Sequence, residues 1–185
     1  EIGETYTARD LVIAMLLRSS NEAAEALARS GISVGVSEGE RDRFIRAMNG
    51  LASDWGMKNV YFEDPTGLSV TNQATADGLV VLARHIYEEH PEIFEITRRE
   101  SARITELKTL KTATILNINL FSGWPEFIGG KTGYTDEAGG NLLTVFKYEN
   151  RPIVIIVLGS NDRFHETELL WNWLKENYKP LTTNY

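Results

Sequence analysis

The spacing of apolar residues changes near residue 120, and this change limits the fold more than any other feature of the chain. From about residue 7 to 120, apolar residues recur at the spacing of amphipathic helices. From about 126 to 180 the chain carries short strand-like segments and one terminal helix. A helical block followed by a strand block predicts one α+β domain over residues 1–185, with helices packed on a sheet.

Capping residues set the expected ends of four helices in the first block. Thr7 is the predicted N-cap of a helix that runs to about Arg18, and an Ala- and Glu-rich helix follows it at once and closes at Gly31. The remaining boundaries are a capping box at Ser37 and Glu40, a stop at Gly56, a start at Thr75 and a stop before Pro91.

Three strands are predicted at residues 128–134, 140–148 and 151–159, where Gly, Asn and Pro bound short apolar runs. The Glu149-Asn150 pair predicts a tight hairpin between the last two strands. The last strand is apolar on both faces, which is typical of a central strand covered by helices. The final helix is expected to be one of those covers, through Trp171, Trp173 and Leu174.

Composition excludes several classes of function. A chain of 185 residues with 42% hydrophobic and 24% charged side chains can bury its own core. The net charge of −7 and the absence of a basic cluster argue against nucleic acid as a partner. The chain has no cysteine, which excludes disulfides, thiolate catalysis and Cys-ligated metals. We expect no cofactor and no metal, because no spacing places two of His85, His90 and His165 on one helical face.

The segment GGKTGYT, residues 129–135, is unusually rich in glycine for a strand that only packs. Alternation places Lys131 and Gly133 on one face and Thr132 on the other, so one ligand meets all three only along the strand edge. An extended peptide could add to that edge, with Thr132 binding a terminal carboxylate and Lys131 supplying positive potential. The alternative is a lysine that only protects a solvated edge strand from aggregation.

Ser19-Ser20-Asn21 lies at the predicted joint between the first two helices. A hydroxyl that relays protons and an amide that both donates and accepts suit the surroundings of an acyl-transfer nucleophile. The alternative is structural, because Ser19 and Glu22 fit the S-x-x-E capping box of the second helix. Two other features are weaker evidence for a functional site. Glu63-Asp64 is interpreted as a surface loop. Trp124 is the one tryptophan expected to reach a ligand.

Together these elements resemble the penicillin-recognising serine enzymes, specifically the low-molecular-mass D-alanyl-D-alanine carboxypeptidases. The resemblance runs along nearly the whole chain. It includes the segments GETYTARDLVIAMLLRSSNEAAEALA, MNGLASDWGMKNVYFEDPTGL, ATADGLVVLAR, NIN and GGKTGYTDEAGGNLL. It implies the β-lactamase/transpeptidase-like fold, in which an antiparallel sheet is packed by helices and the Lys-Thr-Gly strand lines the cleft.

The resemblance also implies a role for each site residue. Ser19 would assist proton transfer to the leaving amine, and Asn21 would orient the substrate amide. The backbone N–H of Tyr134 would be one of two oxyanion donors. The peptide end and its carboxylate would be bound by Lys131, Thr132 and Gly133, with Arg163 near the carboxylate pocket.

One motif of that family is absent from this sequence. The nucleophile and its base come from Ser-x-x-Lys, and no serine here has lysine three residues later. Thr105 to Lys108 imitates the spacing but follows Ser-x-Asn, in the wrong order. We therefore expect the domain to be incomplete at its N-terminus. An N-terminal segment of the same protein would be its partner, and without it this chain should be inactive and expose apolar surface.

The function implied is a serine-type D-alanyl-D-alanine carboxypeptidase of the cell wall, with consequences for cell shape. It would remove the terminal D-Ala of peptidoglycan stem peptides through an acyl-enzyme and be inhibited by β-lactams. That substrate implies an exported, extracytoplasmic protein. The alternatives are an endopeptidase or β-lactamase of the same fold, and a catalytically inactive module that binds wall peptides.

Overall fold

The computed structural model describes residues 3–30 and 39–178, and the three predicted sheet strands follow the helical part and precede the final helix, as predicted. The helices are α1 (Ala8–Arg18), α2 (Asn21–Arg29), α3 (Glu40–Asp54), α4 (Ala76–Glu89), α5 (Pro91–Thr97) and α6 (Arg163–Asn177). The strands are β1 (Ser101–Thr105), β2 (Thr112–Leu116), β3 (Phe127–Thr135), β4 (Gly139–Tyr148) and β5 (Arg151–Ser160). The α+β class and the antiparallel sheet packed by helices are confirmed.

Strands β3, β4 and β5 form an antiparallel sheet in that order, as the three predicted segments require. Glu149 and Asn150 both have positive φ, 45° and 68°, which is the geometry of a two-residue hairpin and confirms the predicted turn. Among the described residues β4 is the middle strand and β5 lies at the edge, because β5 pairs with β4 alone. The central position predicted for the last strand is therefore not found within these residues.

Helices cover both faces of this sheet. On one face Trp171 of α6 stacks on Phe146 of β4, with ring centroids 4.7 Å apart, and both side chains are buried. On the other face Ala83 of α4 and Phe94 of α5 pack against Val145. Trp171 is therefore a cover as predicted, but Trp173 is 59% exposed and points away from the sheet.

Side-chain caps fix the starts of α1 and α4. Thr7 accepts from the Asp10 N–H at 3.0 Å and Thr75 from the Gly78 N–H at 3.2 Å, so both predicted N-caps are confirmed. α3 begins at Glu40 with Gly39 as its N-cap, whereas the predicted caps Gly31 and Ser37 lie outside the described residues. Pro91 ends α4 and also opens α5.

The chain between α5 and β3 contains a feature that the sequence did not indicate. β1 and β2 pair as a separate antiparallel hairpin, from Ser101 opposite Leu116 to Thr105 opposite Thr112. This hairpin and the segment after it lie against α1, and the Ile118 N–H donates to the Leu17 carbonyl at 3.0 Å. The end of α1 is thereby held in place.

No helix within residues 3–30 and 39–178 has both the length and the apolar character needed to cross a bilayer.

Candidate active-site cleft

Two adjacent serines at the joint between α1 and α2 have different surroundings. Ser20 is the N-cap of α2: its Oγ accepts from the Ala23 N–H at 3.1 Å and donates to Glu22 at 3.0 Å. Ser19 ends α1 in the left-handed conformation, with φ 54° and ψ 44°. The alternative in which Ser19 caps the second helix is therefore wrong. Because Ser20 supplies that cap, the Ser19 hydroxyl is directed elsewhere.

The Ser19 hydroxyl faces Lys131 of β3. The Lys131 ammonium donates to Ser19 Oγ, and also to the Thr132 carbonyl at 2.8 Å. Burial and, to a lesser extent, the positive charge of Arg163 together lower the pKa of Lys131 to about 8. A lysine that only protected a solvated strand would not be buried against a serine 112 residues away in sequence, so that alternative is wrong.

The glycines of β3 serve two different purposes. A Cβ added to Gly129 would lie 2.5 Å from the Phe94 ring, and one added to Gly130 would lie 2.3 Å from the Leu143 carbonyl oxygen. These two glycines allow α5 and β4 to pack closely on the strand. A Cβ on Gly133 would meet only Asn141, at 3.9 Å, so Gly133 leaves open space beside Lys131.

Backbone directions along β3 follow from one hydrogen bond. The Gly130 N–H donates to Thr97 Oγ1 at 3.1 Å, on the side of the strand away from β4. The register with β4 is continuous from Gly129 to Thr135, and alternate residues of a strand direct their backbone groups to the same side. The N–H groups of Thr132 and Tyr134 therefore also face the unpaired edge of β3.

A cleft of about 500 Å³ opens along this edge. Its walls come from the α1–α2 joint, from β3, from the start of α6 and from the loop of residues 65–68. All the predicted site residues line it, namely Ser19, Asn21, Lys131, Thr132, Gly133, Tyr134 and Arg163. Thr132 is 6% exposed and Gly133 and Tyr134 are exposed, so residues from both faces of the strand meet one cleft at its edge, as β-augmentation requires.

Arg163, the first residue of α6, adds a second positive charge to this cleft. Its guanidinium carbon lies 5.0 Å from the Phe164 ring centroid and 5.9 Å from that of Tyr134. A Cβ on Gly140 would lie 3.2 Å from Arg163 Nη1, so glycine there makes room for the guanidinium. The Nε of Arg163 is buried and has no hydrogen-bond partner among the described residues. An oxygen atom of a ligand would satisfy it.

The charge of the cleft contrasts with that of the chain. The chain carries a net charge of −7, yet the described residues that line the cleft include Lys131 and Arg163 and no acidic side chain. Such a cleft favours an anionic ligand. Across the described residues, no three or more His, Asp or Glu side chains are grouped closely enough to hold a metal ion.

The structure corrects one predicted contact and adds one wall. Trp124 does not line the cleft; it packs edge-on against Phe121, with ring centroids 4.8 Å apart, in the core beneath the sheet. The added wall is the loop after Asp64, which was read only as a surface loop. Its signal was present as the turn residues Asp-Pro-Thr-Gly, but turn residues do not tell which surface a loop covers.

Comparison with known proteins agrees with this geometry. A family model described as D-alanyl-D-alanine carboxypeptidase matches residues 1–162. The D-alanyl-D-alanine endopeptidase of Escherichia coli is 30% identical over 173 residues, covering 90% of this chain and 53% of that protein. The D-alanyl-D-alanine carboxypeptidase DacF of Bacillus subtilis is 28% identical, covering 87% of this chain and 40% of that protein. The chain thus spans about half the length of the curated relatives it matches.

Solved structures show the same fold. Penicillin-binding protein D2 of Listeria monocytogenes, in its ampicillin-bound form, is 30% identical with a TM-score of 0.76, covering 90% of this chain and 67% of that one. A D-alanyl-D-alanine carboxypeptidase of Mycobacterium tuberculosis is 27% identical with a TM-score of 0.78, covering 95% of this chain and 66% of that one.

Proposed function

Because the chain belongs to the D-alanyl-D-alanine carboxypeptidase family, we propose that it forms the substrate-binding part of a serine peptidase. The reaction proposed is removal of the terminal D-Ala of peptidoglycan stem peptides through an acyl-enzyme. The substrate implies an exported protein that acts outside the cytoplasm, in cell-wall metabolism.

The observation that carries the proposal is the cationic cleft along the free edge of β3. A stem peptide offers an extended backbone that can pair with this edge and a terminal carboxylate that needs positive partners. The edge groups of Thr132 and Tyr134 suit the backbone, and Lys131, Thr132 and Arg163 suit the carboxylate. Asn21, at the first turn of α2 on the opposite wall, can orient the substrate amide.

The contact between Lys131 and Ser19 gives the proposed proton relay a direction. Since the Lys131 ammonium donates to Ser19 Oγ, the hydroxyl proton of Ser19 is free to point into the cleft. It can be given to the leaving amine as the peptide bond breaks, and the lowered pKa of Lys131 eases the return of a proton to Ser19. The Tyr134 N–H, directed to the same edge, can stabilise the oxyanion of the tetrahedral intermediate.

The nucleophile is proposed to come from a Ser-x-x-Lys segment encoded before Glu1, because the 185 residues contain no such motif. The apolar surface at the far side of the sheet supports a covering segment. Leu158 of β5 is 46% exposed, and on α6 Leu169, Leu170 and Trp173 are 46–59% exposed. Such a surface beside the unpaired edge of β5 suits both a further strand and a further helix.

β-Lactams are the proposed covalent inhibitors. Structures of the Listeria protein have been determined with ampicillin and with cefotaxime bound. The aligned residues are 30% identical to this chain in the first structure and 29% in the second. A β-lactam carries a carboxylate and a reactive amide, so it would use the same cationic groups as the peptide terminus.

Endopeptidase action is the second candidate. The Escherichia coli protein at 30% identity is a D-alanyl-D-alanine endopeptidase, and a Haemophilus influenzae protein of that name is 33% identical over 156 residues. An endopeptidase must admit chain beyond the scissile bond, whereas a carboxypeptidase binds a free terminal carboxylate. The cations Lys131 and Arg163 favour the free carboxylate.

The test uses the protein expressed with every residue its gene encodes before Glu1, here called the upstream-extended protein. It is incubated with a peptide ending in D-Ala-D-Ala and, separately, with a cross-linked muropeptide. The expected result is release of free D-Ala from the first, and loss of that release in Lys131→Ala but not in Lys147→Ala, whose lysine is exposed on β4. This chain alone is expected to be inactive. Cleavage of the cross-linked substrate only would favour the endopeptidase, and D-Ala release by this chain alone would refute the missing nucleophile.

A further inference from the structure

The loop of residues 64–69 forms the wall of the cleft opposite β3. Pro65, Thr66, Gly67 and Leu68 all line it. This loop has no regular secondary structure, and none of its residues belongs to the apolar core clusters of the described residues. A wall built from irregular backbone needs specific interactions to hold it in one conformation.

The carboxylate of Asp64 supplies these interactions by accepting hydrogen bonds from the loop. Oδ1 accepts from the N–H groups of Thr66 and Gly67, each at 2.6 Å, and from the Thr66 hydroxyl at 2.8 Å. Oδ2 accepts from the Ser69 N–H. One side chain thus accepts hydrogen bonds from the backbone N–H groups of three residues of the loop.

The surroundings of Asp64 bury its carboxylate and stabilise its negative charge. The residue is 8% exposed. Burial alone would raise the pKa of its carboxyl group, but the hydrogen bonds from Thr66, Ser69 and Gly67 lower that pKa to about 2. Asn72 adds a second anchor behind the loop, since its Oδ1 accepts from the Glu63 N–H at 2.7 Å and the Asp64 N–H at 3.2 Å.

The outer side of the loop carries the groups that a ligand would meet. Leu68 is 58% exposed although it is apolar, and it stands on the ridge between the cleft and a second, more open hollow beside α2. Thr66 also faces both hollows. A ligand bound along β3 would have its other side against these residues.

We infer that Asp64 is a positioning residue for substrate binding: its carboxylate holds the loop of residues 64–69 so that Thr66 and Leu68 contact the peptide opposite β3. The identity of the ligand rests on the proposed function. The arrangement of the loop does not, because it follows from hydrogen bonds within the described residues.

The experiment compares three variants of the upstream-extended protein. Asp64→Asn keeps the size of the side chain but replaces an accepting oxygen with an NH2 group that faces backbone donors. Asn72→Ala loosens the same loop from behind without altering any residue that lines the cleft. Asp54→Asn, at the exposed end of α3, is the matched control.

Two quantities are measured for each variant. Amide hydrogen exchange at Thr66, Gly67 and Ser69 reports whether the loop is held. The kcat and KM for a peptide ending in D-Ala-D-Ala, with the rate of labelling by a fluorescent penicillin, report whether the held loop matters for binding. In Asp64→Asn and Asn72→Ala we expect faster exchange confined to this loop and a kcat/KM lowered about tenfold or more, mainly through KM. Asp54→Asn should match the unaltered protein.

Unchanged exchange in both loop variants would overturn the inference, and so would faster exchange with unchanged KM and labelling. If Asp64→Asn does not fold, Asn72→Ala decides alone. Failure of the unaltered protein to release D-Ala would contradict the proposed function, while the exchange result would still decide whether Asp64 holds the loop. Leu68→Ala gives the contact itself: a raised KM with kcat retained is expected, and an unchanged KM would remove Leu68 from the substrate-binding surface.

Discussion

Ser19 and Ser20 show how neighbouring residues of one type take different roles. The Ser20 hydroxyl caps the start of α2, whereas Ser19, in the left-handed conformation, directs its hydroxyl towards Lys131. The S-x-x-E pattern could not distinguish them. Glu22 lies three residues after Ser19, but its carboxylate accepts a hydrogen bond from Ser20. The contact that distinguishes Ser19 is with Lys131, which lies 112 residues later in the sequence.

Alanine substitutions should separate the two serines. Ser20→Ala removes a helix cap and is expected to lower the free energy of unfolding by about 1 kcal/mol with little effect on turnover. Ser19→Ala should leave stability nearly unchanged and lower D-Ala release by the upstream-extended protein about 100-fold, because a proton-relay group is lost. Thermal unfolding and steady-state kinetics measure both effects. The reverse pattern would assign the structural role to Ser19.

The charge of Lys131 should be visible in the pH dependence of stability. Burial, aided by Arg163, holds its folded-state pKa at about 8, below the ordinary lysine value of 10.5. Between these two values the unfolded chain binds more protons than the folded one, so this group adds stability as the pH rises through the window. The free energy of unfolding of the unaltered protein should therefore rise relative to that of Lys131→Met between pH 8 and 10.5. A constant difference would contradict the buried environment, and Lys147→Met is the control.

Elements with strong local signals were predictable from the sequence. The three sheet strands, the Glu149-Asn150 hairpin and the N-caps Thr7 and Thr75 depend on neighbouring residues and were found within one or two positions. The hairpin of β1 and β2 was missed because its strands, SARIT and TATIL, are short and carry few apolar residues. Among the described strands β5 lies at the edge and not at the predicted centre, because apolar faces do not reveal which strands pair with its edges.

The packing of β3 gives a prediction about glycine. Gly130→Ala would place a methyl group 2.3 Å from the Leu143 carbonyl oxygen, which neither strand can avoid without moving, so we expect a loss of about 1–3 kcal/mol. Gly50→Ala is the matched control: the site is exposed in α3, has open space, and should gain about 0.5–1 kcal/mol. Chemical denaturation measures both. Equal effects would show that β3 does not approach β4 as described.

At the scale of the whole molecule, the cleft is assembled from distant parts of the chain. α1 and α2 bring Ser19 and Asn21, β3 brings the Lys-Thr-Gly segment, α6 brings Arg163, and a loop brings the wall held by Asp64. The motifs Ser-x-Asn and Lys-Thr-Gly predicted the first two parts because each is a local pattern of reactive groups, whereas Arg163 was indicated by the family resemblance alone. The wall had no such pattern, since Asp64 acts through backbone contacts that exist only in the folded loop.

The exposed apolar face of α6 should distinguish this chain from the longer protein. Trp173→Ser is expected to cost little in this chain, where the side chain is 59% exposed. In the upstream-extended protein, where we propose that a segment covers it, the loss should approach the roughly 3–5 kcal/mol typical of a buried tryptophan. Leu107→Ser, at a 46% exposed position on the β1–β2 turn, is the control. Equal small losses in both proteins would place the covering segment elsewhere.

The most direct test of the central claim is to locate the acyl group. The upstream-extended protein is labelled with penicillin, digested, and the modified peptide identified by mass spectrometry. The account predicts that the label lies on a serine encoded before Glu1 and followed three residues later by lysine, and that labelling slows when Lys131 or Arg163 is replaced. A label on Ser19, or on any other serine of these 185 residues, would contradict it.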